Sequence, residues 1–276
     1  MAGFLTEMAK SSLARVTEAK TRYTDGELWT LAQETPVPPP LQLSDAGFDV
    51  IAELKLNSPA QGKLGESSDD LEGRVLQYAQ GGAAAVSVLT EPTRFDGSME
   101  HLERAAKALA PLGVPAMRKD FIFDPYQVVE SRVAGAGGVL VILRMIDRRR
   151  IVELLDCAAM LKLFVLLEGF DEEDLALGAE IVAERRLHDE KILLGLNARN
   201  LDTLQVVPER LKDLAPKLAA GVPHVAESGV ASPADTAALA AAGYQLALIG
   251  TALMSTGNPR GLIAEMLKAA RKWGHS

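Results

Sequence analysis

Charged side chains stand at the ends of several short apolar segments of this chain. Glu53 and Lys55 end the first segment, and Lys119, Glu168 and Glu227 end three later ones. If the fold brought these two lysines and three glutamates to one cavity, they would supply proton donors, proton acceptors and groups that stabilise developing charge. Buried charges also form structural salt bridges, and for any single residue that alternative stays open.

Removal from water changes the proton affinity of such groups. Burial disfavours the charged form of a lysine, and a second lysine nearby disfavours it further. We therefore expect a lowered pKa for Lys119, whose like-charged neighbour would be Lys55. A lysine with a lowered pKa is suited to general acid–base catalysis.

Eight apolar, β-branched segments must position these side chains. Their near-continuous hydrophobicity is typical of strands buried on both faces. Stretches with helical spacing lie between them, and Ser98, Asp124 and Ser232 are the expected N-caps of three helices. The predicted strands are Val50–Lys55, Ala84–Thr90, Val114–Lys119, Gly138–Leu143, Leu163–Glu168, Ile192–Asn197, Val222–Glu227 and Leu246–Gly250.

Eight alternations of strand and helix fit an open doubly wound sheet or a closed (β/α)8 barrel. The number eight and the chain length of 276 residues, near the ~250 typical of the barrel, favour closure. A dinucleotide-binding sheet would also carry a Gly-x-Gly-x-x-Gly turn after an early strand, and the turn from Leu56 to Gly62 lacks it. The sequence therefore predicts an α/β protein with a TIM-barrel catalytic domain at residues 49–276.

The first 48 residues lie outside this alternation and are expected to form an N-terminal helical extension. Phe4–Lys20 is amphipathic, and the run Pro36–Pro40 forces an extended connection that no helix can cross. A helix laid across the barrel and a flexible arm both fit this pattern.

Composition excludes several classes of protein and partner. The 29 basic and 37 acidic side chains give a net charge of −8, which argues against nucleic acid as a main partner. No apolar run reaches the roughly 18 residues of a membrane helix, so no membrane partner is expected. The lone Cys157 fits a reducing compartment, and we expect a cytoplasmic protein. The histidines, cysteine and acids show no metal-ligand spacing, so neither a metal nor a cofactor is predicted.

Small residues follow the last two predicted strands. Ser228 and Gly229 come after the seventh strand, and Gly250 and Thr251 come at the end of the eighth. Barrels of this type commonly hold a phosphate on backbone N–H groups at these two strand ends. Glycines there can also be simple turn residues, but the two adjacent pairs together indicate a site for a phosphorylated small molecule.

Several sequence blocks, in order from about Val50 to Met254, resemble the indole-3-glycerol phosphate synthase family. The first has the pattern Glu-x-Lys-x-x-Ser-Pro, and the most distinctive one begins Arg-Lys-Asp-Phe. The blocks are Ile51–Pro59, Ser87–Glu91, Phe95–Ser98, Arg118–Gln127, Asn197–Leu201 and Ala226–Gly229.

The resemblance implies an enzyme that closes the indole ring of 1-(2-carboxyphenylamino)-1-deoxyribulose 5-phosphate with loss of carbon dioxide and water. It implies that Lys119 is the general acid and that Glu168 serves the proton transfers and stabilises positive charge on the anilino system. It places Lys55 for the substrate carboxylate and for dehydration. By the same resemblance the substrate is bound by Glu53, Phe121, Asn197, Arg199 and Glu227, and its phosphate by Ser58, Ser228, Gly229, Gly250 and Thr251.

The chain departs from the family pattern mainly in the loop after the first strand. Leu56 and Asn57 replace residues that are usually basic, polar or small, Ala60 replaces a hydroxylated residue, and Asn200 stands where aspartate is usual. These departures leave open a paralogue of specialised metabolism that acts on a substituted anthranilate adduct. A non-catalytic phosphate-binding barrel subunit is a further alternative, but a binding role does not require Lys55, Lys119 and Glu168 together. The oligomeric state is left open, and a monomer is one of the states that fit.

Overall fold

Eight parallel strands close into a barrel in the computed structural model, which describes residues 3–58, 62–63, 70–185, 190–201 and 203–273. The strands of these residues are β1 Asp49–Leu54, β2 Asn57–Ser58, β3 Gly62–Lys63, β4 Ala85–Leu89, β5 Ala116–Lys119, β6 Gly138–Ile142, β7 Phe164–Gly169, β8 Ile192–Asn197, β9 His224–Glu227 and β10 Leu246–Ile249. β2 and β3 pair as a small antiparallel hairpin, and the others close the barrel in the order β1-β10-β9-β8-β7-β6-β5-β4. The predicted (β/α)8 fold is therefore confirmed.

Helices alternate with the barrel strands and cover their outer faces. They are α1 Phe4–Ala19, α2 Asp25–Glu34, α3 Leu71–Gln80, α4 Pro92–Phe95, α5 Met99–Leu109, α6 Pro125–Val133, α7 Arg148–Met160, α8 Glu172–Glu184, α9 Glu209–Asp213, α10 Pro233–Ala241, α11 Thr251–Ser255 and α12 Pro259–Ala270. The predicted N-caps Ser98, Asp124 and Ser232 are confirmed, since each side chain accepts a hydrogen bond from the first turn of its helix. In the parts of the chain described above, no helix is both long enough and apolar enough to cross a membrane.

The inward-facing positions of the strands change from apolar to charged towards the carboxyl end of the barrel. Ile51, Met117, Leu166 and Val225 pack together inside the barrel. Because successive side chains of a strand point to opposite faces, the residues two positions later also point inward. These are Glu53, Lys119, Glu168 and Glu227, which therefore converge at the mouth.

The N-terminal extension contacts both the mouth of the barrel and its outer face. Met8 of α1 is buried in the same apolar cluster as the barrel interior, while α2 packs against α6. The helix predicted over Phe4–Lys20 is present, but α2 was missed by the periodicity analysis. Its signal was available as a capping box, in which Thr24 and Glu27 bond reciprocally at the helix start.

Candidate active site

A cleft opens at the carboxyl ends of the barrel strands, where catalytic residues of this fold lie. The space inside it is about 1000 Å³, a value that includes part of the open mouth. Most of the residues predicted for the site line it. They are Glu53, Lys55, Lys119, Phe121, Glu168, Asn197, Arg199, Ser228, Gly229, Gly250 and Thr251.

The two remaining predicted residues lie elsewhere. Glu227 is fully buried beneath the cleft and contacts Lys119. Ser58 belongs to the β2 strand of the hairpin, and the position of its side chain is not described. Ala60, one of the departures from the family pattern, also lies outside the described residues.

Lys119 is surrounded by carboxylates from three other strands. Its Nζ atom is 3.0 Å from Oε2 of Glu227 and 3.4 Å from Oε2 of Glu53. A longer contact of 4.0 Å joins it to Oε1 of Glu168. The other oxygen of Glu53 is 2.8 Å from Nζ of Lys55. The five charged side chains therefore form one connected cluster, in which Glu53 bridges the two lysines.

This arrangement sets the charge state of each group. Burial alone would lower the pKa of Lys119, but the carboxylates of Glu227, Glu53 and Glu168 outweigh it and raise the pKa above its ordinary value. The expected lowering is therefore wrong, because the nearest charges to Lys119 are carboxylates rather than the ammonium of Lys55. At Glu53, burial is likewise outweighed by the two lysines, which bring its pKa to about 2.

Glu227 shows the opposite behaviour. Burial and the adjacent carboxylate of Glu168 raise its pKa well above the ordinary value, and the ammonium of Lys119 offsets only part of this. The site thus holds one carboxylate with a depressed pKa and another with an elevated pKa, both in contact with the same lysine. Opposed shifts of this kind are characteristic of sites that transfer protons.

Two glycines make room for the carboxylates of Glu227 and Glu53. A Cβ atom at Gly195 of β8 would overlap Oε1 of Glu227 and lie 3.0 Å from Leu166. A Cβ atom at Gly250 would overlap the carboxylate of Glu53 in the same way. Gly250 has φ −116°, so close approach rather than backbone conformation is what requires glycine there. Sequence analysis missed Gly195, although a glycine inside an otherwise apolar strand often marks a close approach.

Asn197 fixes the orientation of Glu168. Its Nδ2 group donates to Oε1 of Glu168 at 2.7 Å, while its Oδ1 atom accepts from the backbone N–H of Arg199 at 2.9 Å. The guanidinium of Arg199 donates to the carbonyl of Leu204 at 2.7 Å. Arg199 is therefore held against its own loop at the edge of the cleft.

Asp120, the residue after Lys119, connects the end of β5 to α1. Its carboxylate accepts two hydrogen bonds of 2.7 Å from Arg15 of α1, and others from Arg118 at 3.0 Å and Thr90 at 2.7 Å. Burial would raise the pKa of Asp120, but the Arg15 hydrogen bond and the charge of Arg118 lower it to about 2. Arg15 was not among the predicted site residues, and its partner lies 105 residues away along the chain.

An aromatic wall closes one side of the cleft. The ring of Phe121 meets that of Phe4 edge-on, with centroids 5.9 Å apart and planes at 75°. Phe95 lies against the same ring at 6.4 Å. The predicted wall residue Phe121 is therefore part of a three-ring cluster, to which α1 contributes Phe4. Such a surface suits a planar, apolar group.

The corner predicted to bind phosphate has an unusual backbone. Ser228 has φ +69° and Gly229 has φ +81°, so two successive residues adopt the left-handed conformation after β9. β9 pairs with β10, which leads into Gly250 and Thr251. The two predicted pairs of residues are therefore neighbours on the rim of the cleft.

Two further residues with titratable side chains, Cys157 and His224, are buried and do not line the cleft. Cys157 is buried, and burial raises the pKa of its thiol to about 12. His224 lies inside the barrel wall, where burial lowers its pKa to about 4. A group of three or more histidine, cysteine or acidic side chains able to hold a metal does not occur within the described ranges.

Comparison with known proteins identifies the family of the chain. The model of the indole-3-glycerol phosphate synthase family matches residues 5–266. The chain belongs to this family. The resemblance seen in the sequence blocks is thereby confirmed.

Relatives of the same name cover most of the chain. The indole-3-glycerol phosphate synthase of Mycobacteroides abscessus is 39% identical over 227 residues, which are 82% of this chain and 79% of the relative. That of Parafrankia sp. is 41% identical over 220 residues, or 80% and 78% of the two chains. That of Mycolicibacterium gilvum is 36% identical over 263 residues, or 95% and 89%.

Solved structures of more distant proteins share the barrel. The 3-hexulose-6-phosphate synthase of Salmonella typhimurium superposes with a TM-score of 0.61 at 14% identity, over 82% of this chain and 99% of the other. A tryptophan synthase structure from M. tuberculosis gives a TM-score of 0.58 at 13% identity, over 89% and 98%. At these identities the likeness concerns the fold alone.

Proposed function

We propose that this chain converts 1-(2-carboxyphenylamino)-1-deoxyribulose 5-phosphate into indole-3-glycerol phosphate, carbon dioxide and water, and that Lys119, Glu168 and Lys55 carry the chemistry. The activity follows from the family and belongs to tryptophan biosynthesis. The roles of the residues are supported by one observation above all, the buried Lys119 among three carboxylates at the edge of an apolar cleft. We further propose that the enzyme works in the cytoplasm.

Lys119 is the general acid of ring closure in this proposal. When the aryl carbon attacks the ribulose carbonyl carbon, the carbonyl oxygen becomes negative and needs a proton. The carboxylates around Lys119 keep its ammonium charged before the reaction. A substrate oxygen that enters beside Nζ takes over part of that contact, and the proton is then transferred as charge develops on the oxygen.

Glu168 stabilises the positive charge that the same attack creates on the anilino system. Ring closure interrupts the aromaticity of the aryl group and gives an iminium ion, which a fixed carboxylate stabilises without reorganising. The hydrogen bond from Asn197 keeps Glu168 in one orientation. The same carboxylate accepts the proton that leaves carbon 1 of the ribulose chain at the end of the reaction.

Lys55 and the cleft walls hold the substrate. Lys55 binds the aryl carboxylate until it leaves as carbon dioxide, and faces the hydroxyl that is lost in dehydration. The aromatic wall around Phe121 packs on the aryl ring. The rim residues Ser228, Gly229, Gly250 and Thr251 bind the phosphate, together with Ser58. Glu53 and Arg199 complete the polar lining, and Glu227 contacts Lys119 from beneath it.

Indole fluorescence provides the direct test. The purified chain should produce the indole chromophore from the carboxyphenylamino substrate, and Lys119→Ala should lower the rate by ~10²–10⁴-fold, the usual contribution of a general acid. Glu72→Gln is the control, because Glu72 pairs with Arg104 on the outer helices. No product from wild type with the unsubstituted substrate, but product from substituted adducts, would support the specialised paralogue instead. Binding without any turnover would support a non-catalytic barrel.

A further inference from the structure

The proposed reaction places two protons on one oxygen. Ring closure converts the ribulose carbonyl oxygen into a hydroxyl, which takes the first proton, and the same oxygen later departs as water, which takes the second. One proton is returned when carbon 1 of the ribulose chain loses its hydrogen. The reaction therefore consumes one proton per turnover, matching the replacement of a carboxylate by neutral carbon dioxide. Because the side chain of Lys119 is only 14% exposed, a proton source in direct contact with it is favoured over bulk water.

Glu227 has a position that suits such a source. Its side chain is fully buried, with Oε2 at 3.0 Å from Nζ of Lys119. Its Oε1 atom is buried too and has no hydrogen-bond partner among the described residues. The carboxyl group of Glu168 lies within hydrogen-bonding reach of the Glu227 side chain. Two facing carboxylate oxygens repel each other, whereas a proton on one of them would convert the contact into a hydrogen bond.

The charges around Glu227 also favour a proton on this group. It faces Lys119 of β5 and Glu168 of β7, and its strand neighbours are the neutral Asn197 of β8 and Leu248 of β10. With all groups ionised, the cluster of Glu53, Glu168, Glu227, Lys55 and Lys119 carries three negative and two positive charges. Arg199 is half-buried at the rim, where it bonds its own loop and its charge also acts on Glu53. A proton on Glu227 removes the repulsion between its carboxylate and that of Glu168 and leaves the carboxylates of Glu53 and Glu168 beside Lys119, and burial raises the pKa of Glu227 in the required direction.

We propose that Glu227 stores the second proton of the reaction and delivers it to Lys119 between ring closure and dehydration. This proposal rests on the proposed function. Lys119 first gives its proton to the carbonyl oxygen and becomes a neutral amine. Glu227 then protonates that amine across the 3.0 Å contact and becomes a carboxylate. The restored ammonium of Lys119 protonates the hydroxyl, whose bond to carbon breaks as water leaves.

The cycle closes through Glu168. Departure of the hydroxyl leaves an iminium ion, and Glu168 removes the proton from carbon 1 to complete the indole. Glu168 then passes this proton to Glu227 through the contact between their carboxyl groups. One proton from solvent restores Lys119, which accounts for the single proton consumed per turnover.

Infrared spectroscopy of the ligand-free protein tests the storage of the proton. Wild type near neutral pH should show the carbonyl stretch of a protonated carboxylic acid, which shifts in heavy water and is lost in Glu227→Gln. Glu72→Gln is the matched control and should keep the band, because the hydrogen bond and charge of Arg104 lower the pKa of Glu72 to about 2. If the spectra of wild type and Glu227→Gln show the same acid band, or none, the proposal is wrong. This readout does not depend on the activity, so it stands or fails separately from the proposed function.

Single-turnover kinetics test the delivery of the proton. Glutamine has the shape and the neutral hydrogen bonding of a protonated Glu227 but no proton to transfer. In Glu227→Gln, release of carbon dioxide should stay within about three-fold of wild type, while indole formation falls by ~10²-fold or more. The hydroxylated intermediate should accumulate. Equal slowing of both steps would indicate a purely structural role and would overturn the proposal. Wild-type rates for both steps would overturn it as well. The melting temperature of Glu227→Gln checks that the variant is folded.

Discussion

Gly195→Ala should disable the site without removing any reacting group. A Cβ atom at this position would overlap Oε1 of Glu227, which must retreat by about 1 Å to reach an ordinary contact. The Cβ atom cannot move aside instead, because Leu166 is already 3.0 Å from the same Cβ position. A misplacement of that size in an active site costs ~10²-fold in rate, and overpacking a core costs ~1–3 kcal/mol of stability. We therefore expect kcat to fall by ~10²-fold and the free energy of unfolding by ~1–3 kcal/mol.

Gly26→Ala provides the matched control for this experiment. Gly26 lies in the first turn of α2, and a Cβ atom there would meet nothing within 4 Å. The control should keep wild-type kcat and gain up to ~1 kcal/mol from the better helix propensity of alanine. Rates from indole fluorescence, measured well below the melting temperature of each variant, separate activity from stability. If Gly195→Ala retained wild-type kcat, the position of Glu227 would be irrelevant to turnover and the reasoning from the cluster would be refuted.

Three further predictions address other parts of the site. Glu168→Gln should lower kcat far more than it raises KM, because shape is kept and charge is lost; a rise in KM at constant kcat would make Glu168 a binding residue. Gly229→Val should raise KM, because the valine side chain would occupy the phosphate corner, and should also lower stability, because φ at this position is +81°. The control Gly243→Val, at φ +98° with open space around it, should lower stability alone. An equal rise in KM in both variants would argue against the phosphate corner. The carboxylate of Asp120 stabilises the fold above its ordinary pKa of 3.8, and this contribution is lost as the pH falls towards about 2. Denaturant unfolding across that range should show a steeper loss for wild type than for Asp120→Asn, and identical slopes would contradict the assignment.

Much of the barrel and of its mouth could be predicted from the sequence, because both depend on the local pattern of apolar and charged residues along each strand. The alternation of strand residues places Glu53 two positions after Ile51 and Lys119 two positions after Met117, so the direction of each side chain follows from the strand itself. The same logic located the helix starts at Ser98 and Asp124, whose capping groups are close in sequence.

The remaining features depend on contacts between distant parts of the chain. The pKa of Lys119 was expected to fall, but its direction depends on which charges arrive from β1, β7 and β9, and no local pattern specifies that. The pairing of Arg15 with Asp120 and the space that Gly195 leaves for Glu227 are of the same kind. The roles assigned to individual site residues, including the phosphate corner and the division of the chain at residue 48, stay predictions.

The bond between Arg15 and Asp120 also bears on how the enzyme is made. The two residues are 105 positions apart, so at ordinary translation rates the ribosome adds Asp120 roughly 5–20 s after Arg15. Throughout that interval the newly made α1 has no partner for Arg15 and no barrel to cover Met8. α1 is thus made well before the residues that bind it, and its docking at the mouth waits until they have been synthesised.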